Sequence, residues 1–492
     1  MQIGSIIRRA ALHYKDAPCL VEDDRIVSFR DFDALTDRLG NALLANGLQP
    51  GDRVGVLLPN GIDCLVAYYA LAKAGLVRVS LNTRETQDNH AYKLGDSGSR
   101  AVICGVDDIV PDTLDFCLRP DAIAEMTRTG ASTPCAVDRD LEAPYRLGYT
   151  GGTTGKPKGV TLTMRGETAE LSAFLIDLMP EMHEGDTFLH AAPIAHASGA
   201  FFLPALVRGV RSVVMKKFDP EAFLALAEAE KASMTFLVPT MLAMILEQPG
   251  CAETRLDLRR IAYGASPIAD SLLRRGEARF GKVFAQTYGQ AESPMVITCL
   301  KPEDHDRIGS CGRPFSTVEV AIVDEQDNFL AAGEVGEIVC RGTQLMAYYW
   351  DRPEATAEAF RNGWLHTGDV GRMDEDGFFY ILDRKNDMLI SGGYNVYPRE
   401  IEDVLLGYDG VVEAAVVGLP DEKWGDRVHA VIAGRAGLDD QAVLAFAKER
   451  LANYKQPKSI EIWPELPKSG ANKILRREIR DTVTARREGA SA

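Results

Sequence analysis

Between residues 28 and 83 the apolar positions switch between two periods. Residues 29–45 carry them at helical spacing, and the turn Gln49-Pro50-Gly51-Asp52 follows. Residues 54–58 then form a short continuous apolar run, residues 64–74 return to a helix, and residues 76–81 read as a second strand. Near-continuous apolar strands separated by helices predict a sheet covered on both faces. A second round runs over residues 187–242, with strands predicted at 187–190 and 212–215 and a helix at 220–231. From about Val318 the texture changes to short β segments, 318–323 and 336–340, punctuated by Gly and Asp, which predicts a β-rich subdomain. The polar run Asp383-Arg384-Lys385-Asn386-Asp387 separates the strand-like residues 378–382 from Met388-Leu389-Ile390 and predicts a boundary. The 106 residues after Asn386 suffice for a small α+β domain.

Composition agrees with a chain of several domains. Of 492 residues 46% are hydrophobic, ample for large cores, and domains of roughly 100–200 residues would number two to four. The 55 Lys+Arg against 71 Asp+Glu leave a formal charge of −16, which excludes a dedicated nucleic-acid binder, since such proteins need a cationic excess. The apolar start of the chain breaks at Arg8-Arg9, so no signal peptide is expected, and no apolar run reaches the ~18–20 residues of a membrane span. Nine scattered cysteines without a C-x-x-C pair predict reduced thiols and a cytoplasmic location. One segment departs from the acidic average: residues 448–487 hold eleven basic and five acidic side chains. That run is either a solvated face or a contact for ligand phosphate.

Candidate chemistry concentrates in Tyr149-Thr150-Gly151-Gly152-Thr153-Thr154-Gly155-Lys156-Pro157-Lys158-Gly159-Val160. Backbone amides freed by glycine, threonine hydroxyls and lysine charge are what phosphate oxygens require, although a Gly/Thr-rich turn can also be purely structural. The loop is not a Walker A sequence, because Thr150 and Pro157 occupy positions where that pattern needs Gly and Ser or Thr.

This stretch closely resembles the phosphate-loop signature of the adenylate-forming (AMP-binding) superfamily, which includes acyl-CoA synthetases, peptide-synthetase adenylation domains and firefly luciferase. Further matches follow in the family's order: Ala192-Pro193-Ile194-Ala195-His196-Ala197-Ser198-Gly199, Tyr263-Gly264-Ala265-Ser266-Pro267, Gln286-Thr287-Tyr288-Gly289-Gln290-Ala291-Glu292, and Gly363-Trp364-Leu365-His366-Thr367-Gly368-Asp369. Asp383 to Asp387, Ser391-Gly392-Gly393-Tyr394-Asn395 and Leu466-Pro467-Lys468-Ser469-Gly470-Ala471-Asn472-Lys473-Ile474 complete the series. The resemblance spans essentially the whole chain. It implies an α/β fold: a large multi-layer N-terminal domain, residues 1–385, built from α/β subdomains plus a β-rich subdomain, and a small mobile α+β C-terminal domain, residues 386–492.

The resemblance also implies roles. Thr150, Gly151, Gly152, Thr153, Thr154, Gly155 and Lys158 would surround the phosphates of ATP, and Glu292, with Thr150, would bind Mg²⁺, which prefers hard oxygen ligands. Tyr288 and Gly289 would stack on adenine against the turn Gly264-Ala265-Ser266, and Asp369, with Arg384 nearby, would take the ribose hydroxyls. Lys473 matches the family's catalytic lysine, which stabilises charge during adenylation, and His196 matches the motif histidine beside the acyl site. Gly392, Gly393 and Tyr394 would face the active site when the thiol attacks. The chain departs from the pattern at Asn472 (usually Gly), Ala291 (usually Thr) and Asn386 (usually Asp or Lys at the hinge).

Within the family the expected branch is a fatty-acid or aromatic-acid CoA ligase. The run Ala195 to Gly199 lacks the acid that pairs with an amino-acid substrate, the chain ends soon after Lys473, and its terminus lacks the Ser-Lys-Leu address of luciferase. The apolar residues Phe201, Phe202, Leu203, Pro204, Ala205 and Leu206 suit either an apolar acyl pocket or ordinary core. The expected partners are a small-molecule carboxylic acid, ATP and CoA, with no nucleic acid and no integral membrane segment; a homodimer is an expectation at the family level. The alternatives are an acyl-AMP ligase serving a separate carrier protein and a non-catalytic nucleotide-binding protein.

Overall fold

The computed structural model describes residues 2–105, 111, 114–150, 156–421, 424–468 and 474–491, with side chains to residue 487. Among these residues the strands form four sheets. The largest runs in the order Arg313–Pro314, Ser293–Leu300, Phe284–Gln290, Arg260–Gly264, Met234–Leu237, Thr187–His190, Arg211–Val214, Pro18–Glu22, Arg25–Ser28. Its central strands, from Phe284–Gln290 through Pro18–Glu22, are all parallel. The second runs Tyr348–Tyr349, Gly159–Thr163, Pro144–Tyr149, Val77–Ser80, Arg53–Leu57, Ala101–Cys104, Phe116–Leu118. Helices cover both sheets, and the strand residues are accordingly buried along their length rather than alternately: Thr187–His190, Met234–Leu237, Arg260–Gly264 and Ala101–Cys104 have no exposed residue.

Helix Ile62–Lys73 is buried almost throughout. It packs against helix Phe29–Ala45, where buried Lys73 donates to Asp33 and Asp37 at 2.5 and 2.7 Å. That pairing is what permits a lysine in this interior. Residues 201–206 form the buried start of helix Phe202–Arg208, and the Phe201 ring lies 5.0, 5.1 and 5.3 Å from Phe174, Phe188 and Phe236. The fold therefore uses this run as core.

The third sheet, Val318–Val323, Val335–Gly342, Trp364–Met373, Phe360–Arg361 with Phe379–Arg384 on Trp364–Met373, is antiparallel, as the short β segments predict. The fourth belongs to a small C-terminal α+β domain: Tyr394–Val396, Leu389–Ser391, Gly425–Gly434 and Val411–Asp421, with Ser459–Ile462 on Gly425–Gly434. Helices Pro398–Leu406 and Asp440–Arg450 cover one face and Arg476–Ser491 the other.

The polar run at 383–387 is less open than its composition suggests. The strand Phe379–Arg384 extends into it and Asp383 is buried, because its carboxylate accepts the amides of Arg384 and Arg399 and the guanidinium of Arg476. No helix among the described residues is long and apolar enough to cross a membrane. None of the nine cysteines is in a disulfide, and all but Cys117 are buried. In the basic segment 448–487, Lys455 pairs with Glu400, Lys468 with Glu413, Arg476 with Asp387 and Glu402 and also with Asp383 across the predicted boundary, and Arg486 with Glu461, so part of its charge is met by carboxylates rather than held open for phosphate.

Candidate active site

Parallel α/β sheets offer ligand sites beyond the carboxyl ends of their strands. Three candidate segments lie there. Strand Arg260–Gly264 pairs with Phe284–Gln290 in the register Gly264↔Thr287, which sets Ala265 and Ser266 beside Tyr288 and Gly289. The approach is close enough to exclude side chains: a Cβ on Gly264 would meet the Thr287 carbonyl at 2.5 Å, and one on Gly289 the Met295 amide at 2.4 Å. Ala265 and Met295 both hold left-handed backbone, φ +68° and +57°, a conformation costly for residues with a Cβ and concentrated at functional sites. The third segment, residues 191–199, leaves strand Thr187–His190 and is tied down by Asn60, which donates to Ala192 and Met215 carbonyls and accepts the Ile194 amide at 2.8 Å. Buried His190 closes it from beneath through the Ser198 hydroxyl at 2.9 Å. His196 sits exposed on this loop.

Glu292 occupies the two-residue turn between Phe284–Gln290 and Ser293–Leu300, where Gln290 faces Ser293. It is 9% exposed, and its carboxylate accepts the Tyr349 hydroxyl at 2.5 Å. No lysine, arginine or histidine among the described residues is ion-paired with it. A buried anion whose neighbour is a neutral phenol is a fitting seat for a cation brought by a ligand. Burial, then the Glu292 charge, pushes the Tyr349 phenol up, so it remains a donor. Among the described residues no group of three or more His, Cys, Asp or Glu is arranged to hold a metal ion by itself.

Asp369 and Arg384 face each other across Trp364–Met373 and Phe379–Arg384. Arg384 Nε lies 2.7 Å from Asp369 Oδ1, while Tyr288 donates its hydroxyl to Oδ2. Burial and the neighbouring Asp369 raise the Tyr288 phenol well above its usual value. Asp369 is 4% exposed with both oxygens engaged. Gly368, at φ +70°, gives its amide to Glu337 Oε1, whose partner oxygen takes Lys385 Nζ at 3.1 Å. Tyr288, Asp369 and Arg384 thus form one hydrogen-bonded group.

The strands on either side of the Gly/Thr-rich segment, Pro144–Tyr149 and Gly159–Thr163, pair antiparallel. Tyr149 pairs with Gly159, the Thr150 amide donates to the Lys158 carbonyl at 3.1 Å, and the Lys158 amide donates to Thr150 Oγ1 at 3.2 Å. Gly151, Gly152, Thr153, Thr154 and Gly155 lie outside the described residues. So do Asn472 and Lys473; the chain on either side is paired, Lys468 with Ile474. Gly392 and Gly393, at φ +60° and +82°, form the turn of the hairpin Leu389–Ser391/Tyr394–Val396, which needs positive φ at both positions. Exposed Tyr394 stacks on Tyr454 of the same domain, 4.8 Å between centroids, not on a body residue. Sequence reasoning missed Tyr349, because the run Tyr348-Tyr349-Trp350 carries no local signal of its partners Glu292 and Val160.

With this geometry in place, comparison with known proteins is decisive. The pattern of the AMP-binding enzyme family matches residues 7–350, and that of its C-terminal domain matches residues 400–473. The chain belongs to the AMP-binding enzyme family. It is 36% identical to a medium/long-chain-fatty-acid–CoA ligase of Mycobacterium tuberculosis over 97% of this chain and 89% of that protein. It is 37% identical to a feruloyl-CoA synthase of an Amycolatopsis species over 97% and 98%. Among solved structures, o-succinylbenzoate CoA synthetase of Bacillus subtilis is 30% identical: its complex with an acyl-adenylate intermediate superposes with a TM-score of 0.89 over 97% of this chain and 98% of that one. The same enzyme, with ATP and magnesium ion, gives 0.88 over 97% and 99%. These relatives are acid–thiol ligases.

Proposed function

We propose that the protein is an ATP-dependent acyl-CoA ligase. It activates an apolar carboxylic acid, fatty or aromatic, as acyl-AMP and transfers the acyl group to coenzyme A. The observation that carries this reading is the meeting of Tyr288, Asp369 and Arg384 in one hydrogen-bonded group beside the turn that bears Glu292. In the first step a carboxylate oxygen attacks the α-phosphorus of ATP and the bond to pyrophosphate breaks. In the second the CoA thiolate attacks the acyl carbonyl carbon and AMP leaves.

Both steps move negative charge, which pre-placed cations and donors stabilise. Thr150, Lys158 and the glycines and threonines between them hold phosphate, Asp369 holds the ribose, and Tyr288 packs on adenine above Gly264, Ala265 and Ser266. Bound at Glu292 with Thr150, Mg²⁺ would neutralise charge on the phosphate oxygens. Residues 1–385 and 386–492 act as two bodies hinged at Asn386, presenting first Lys473 and then the Gly392-Gly393-Tyr394 turn. His196 borders the acyl site. The acid class is supported by relatives named for fatty and ferulic acids, not by residues 201–206. Nine cysteines outside any disulfide fit a cytoplasmic enzyme.

A panel of fatty and aromatic acids, assayed for pyrophosphate release with ATP and Mg²⁺ and for thioester with CoA or a carrier protein, tests the reading. Acid-dependent pyrophosphate release and thioester with CoA are expected; release without any thioester to CoA would overturn the acceptor. In the same assay Lys473→Ala should abolish adenylate formation yet leave thioester formation from synthetic acyl adenylate largely intact. Equal loss of both steps would refute its role.

A further inference from the structure

Tyr349 stands between two groups of the phosphate site that come from distant parts of the chain. Its hydroxyl donates to Glu292 Oε1 at 2.5 Å, and Lys158 Nζ lies 4.5 Å from the centre of its ring. The backbone leaves it little freedom. Tyr349 pairs with Val160 on the strand leaving the phosphate loop, the Trp350 amide donates to the Gly159 carbonyl at 2.7 Å, and the Tyr349 amide donates to Thr356 Oγ1 at 3.0 Å. On the other side the Met346 amide donates to the Glu292 carbonyl at 2.8 Å. Residues 346–350 therefore bridge the turn carrying Glu292 and the strand carrying the loop.

We propose that Tyr349 is a positioning residue for the Glu292 carboxylate, holding it oriented for Mg²⁺ at a set separation from the phosphate loop. The proposal rests on the reading of Glu292 as the carboxylate that meets the metal. A phenol suits the task better than a cation. It engages one carboxylate oxygen and fixes the orientation, leaves the other oxygen for a ligand, and keeps the negative charge that attracts a divalent ion. Its ring face attracts the Lys158 ammonium, which gives that lysine an alternative to pairing with Glu292 and cancelling the charge.

The test measures binding of Mn²⁺, as a paramagnetic stand-in for Mg²⁺, by electron spin resonance on the full chain saturated with a non-hydrolysable ATP analogue and no acid. Tyr349→Phe keeps the ring over Lys158 and deletes only the hydroxyl. It should weaken Mn²⁺ binding about 10-fold, raise the Mg²⁺ concentration for half-maximal pyrophosphate release, and leave the KM for the acid unchanged. In a Glu292→Gln background the same change should have no further effect. Unaltered Mn²⁺ affinity in Tyr349→Phe, or an equal loss in the Glu292→Gln background, would overturn the proposal while leaving the ligase reading standing. If Glu292→Gln itself binds Mn²⁺ as the wild type does, Glu292 is not the metal carboxylate, and the proposal falls together with that assignment. Thermal melting of each variant separates loss of fold from loss of metal, and Tyr349→Trp, which keeps a ring for Lys158 but cannot place a hydroxyl, should repeat the result.

Discussion

At residue level the adenine turn poses a conflict between backbone and side chain that two substitutions resolve in opposite directions. Ala265 is held at φ +68°. Replacement by glycine removes strain of about 1–3 kcal/mol, but frees the unfolded chain at a cost of about 0.4–1 kcal/mol. Ala265→Gly should therefore be neutral to modestly stabilising in a thermal melt. Gly289 is the reverse case: its missing Cβ would collide with Met295 and Ser293 backbone, which cannot swing aside as a side chain can. Gly289→Ala should destabilise by about 1–3 kcal/mol and, by displacing the turn that carries Glu292, depress pyrophosphate release more than it depresses Tm. The motif around Gly289 was readable in the sequence, because a resemblance preserves residue order. The reason for the glycine was not, since the atoms it makes room for belong to the next strand.

Among elements, the periodic segments were legible and the short ones were not. Residues 29–45, 187–190 and 318–323 form the predicted elements with the predicted ends. Long amphipathic or continuous apolar patterns state their own burial. Tyr348–Tyr349 has only two residues and gains its identity from Val160 and Thr161, nearly 190 positions earlier, so no local pattern could reveal it. The burial of Asp383 was hidden for a related reason: the polar composition of 383–387 shows nothing of Arg476 and the Arg399 amide that satisfy its carboxylate. Arg476 pairs with Asp383, Asp387 and Glu402, and burial outweighed by these carboxylates leaves its pKa raised. Arg476→Met should cost the C-terminal domain about 3–5 kcal/mol, because three carboxylates lose their partner. Trp424 and Trp463 lie in that domain and Trp350 and Trp364 in the body, so denaturation of single-tryptophan variants shows which part has been weakened. A shift confined to the body probes would contradict the assignment. In the two-body scheme Asp387 and Glu402 travel with Arg476 and Asp383 does not, so Asp383→Asn should also alter the balance between adenylation and thioester formation.

For the molecule as a whole, the −16 charge says little about ligands, because in the proposed reading anions are met locally, by the glycine-rich loop and by a cation at Glu292. What the charge does not set, two buried histidines do. His190 lies in the body between Ser198 and Ser212, and burial lowers its pKa to about 3. His429 lies in the C-terminal domain against Ser459 and Glu461, and burial lowers it to about 4 despite the nearby carboxylate. Unfolded, each would titrate near 6.5. Below that pH the unfolded chain binds a proton the native chain refuses, so stability rises with pH across the window and falls on acidification. Each histidine contributes a slope of about 1.4 kcal/mol per pH unit, lost for His429 below about 4 and for His190 below about 3. Urea titrations from pH 7.5 to 4.5, compared with the wild type, should therefore show His429→Gln flattening the pH dependence of the C-terminal transition alone and His190→Asn that of the body alone. Slopes unchanged in both variants would mean that these imidazoles accept protons in the folded state, and that around His190 the Ser198 and Ser212 hydroxyls can turn to receive them.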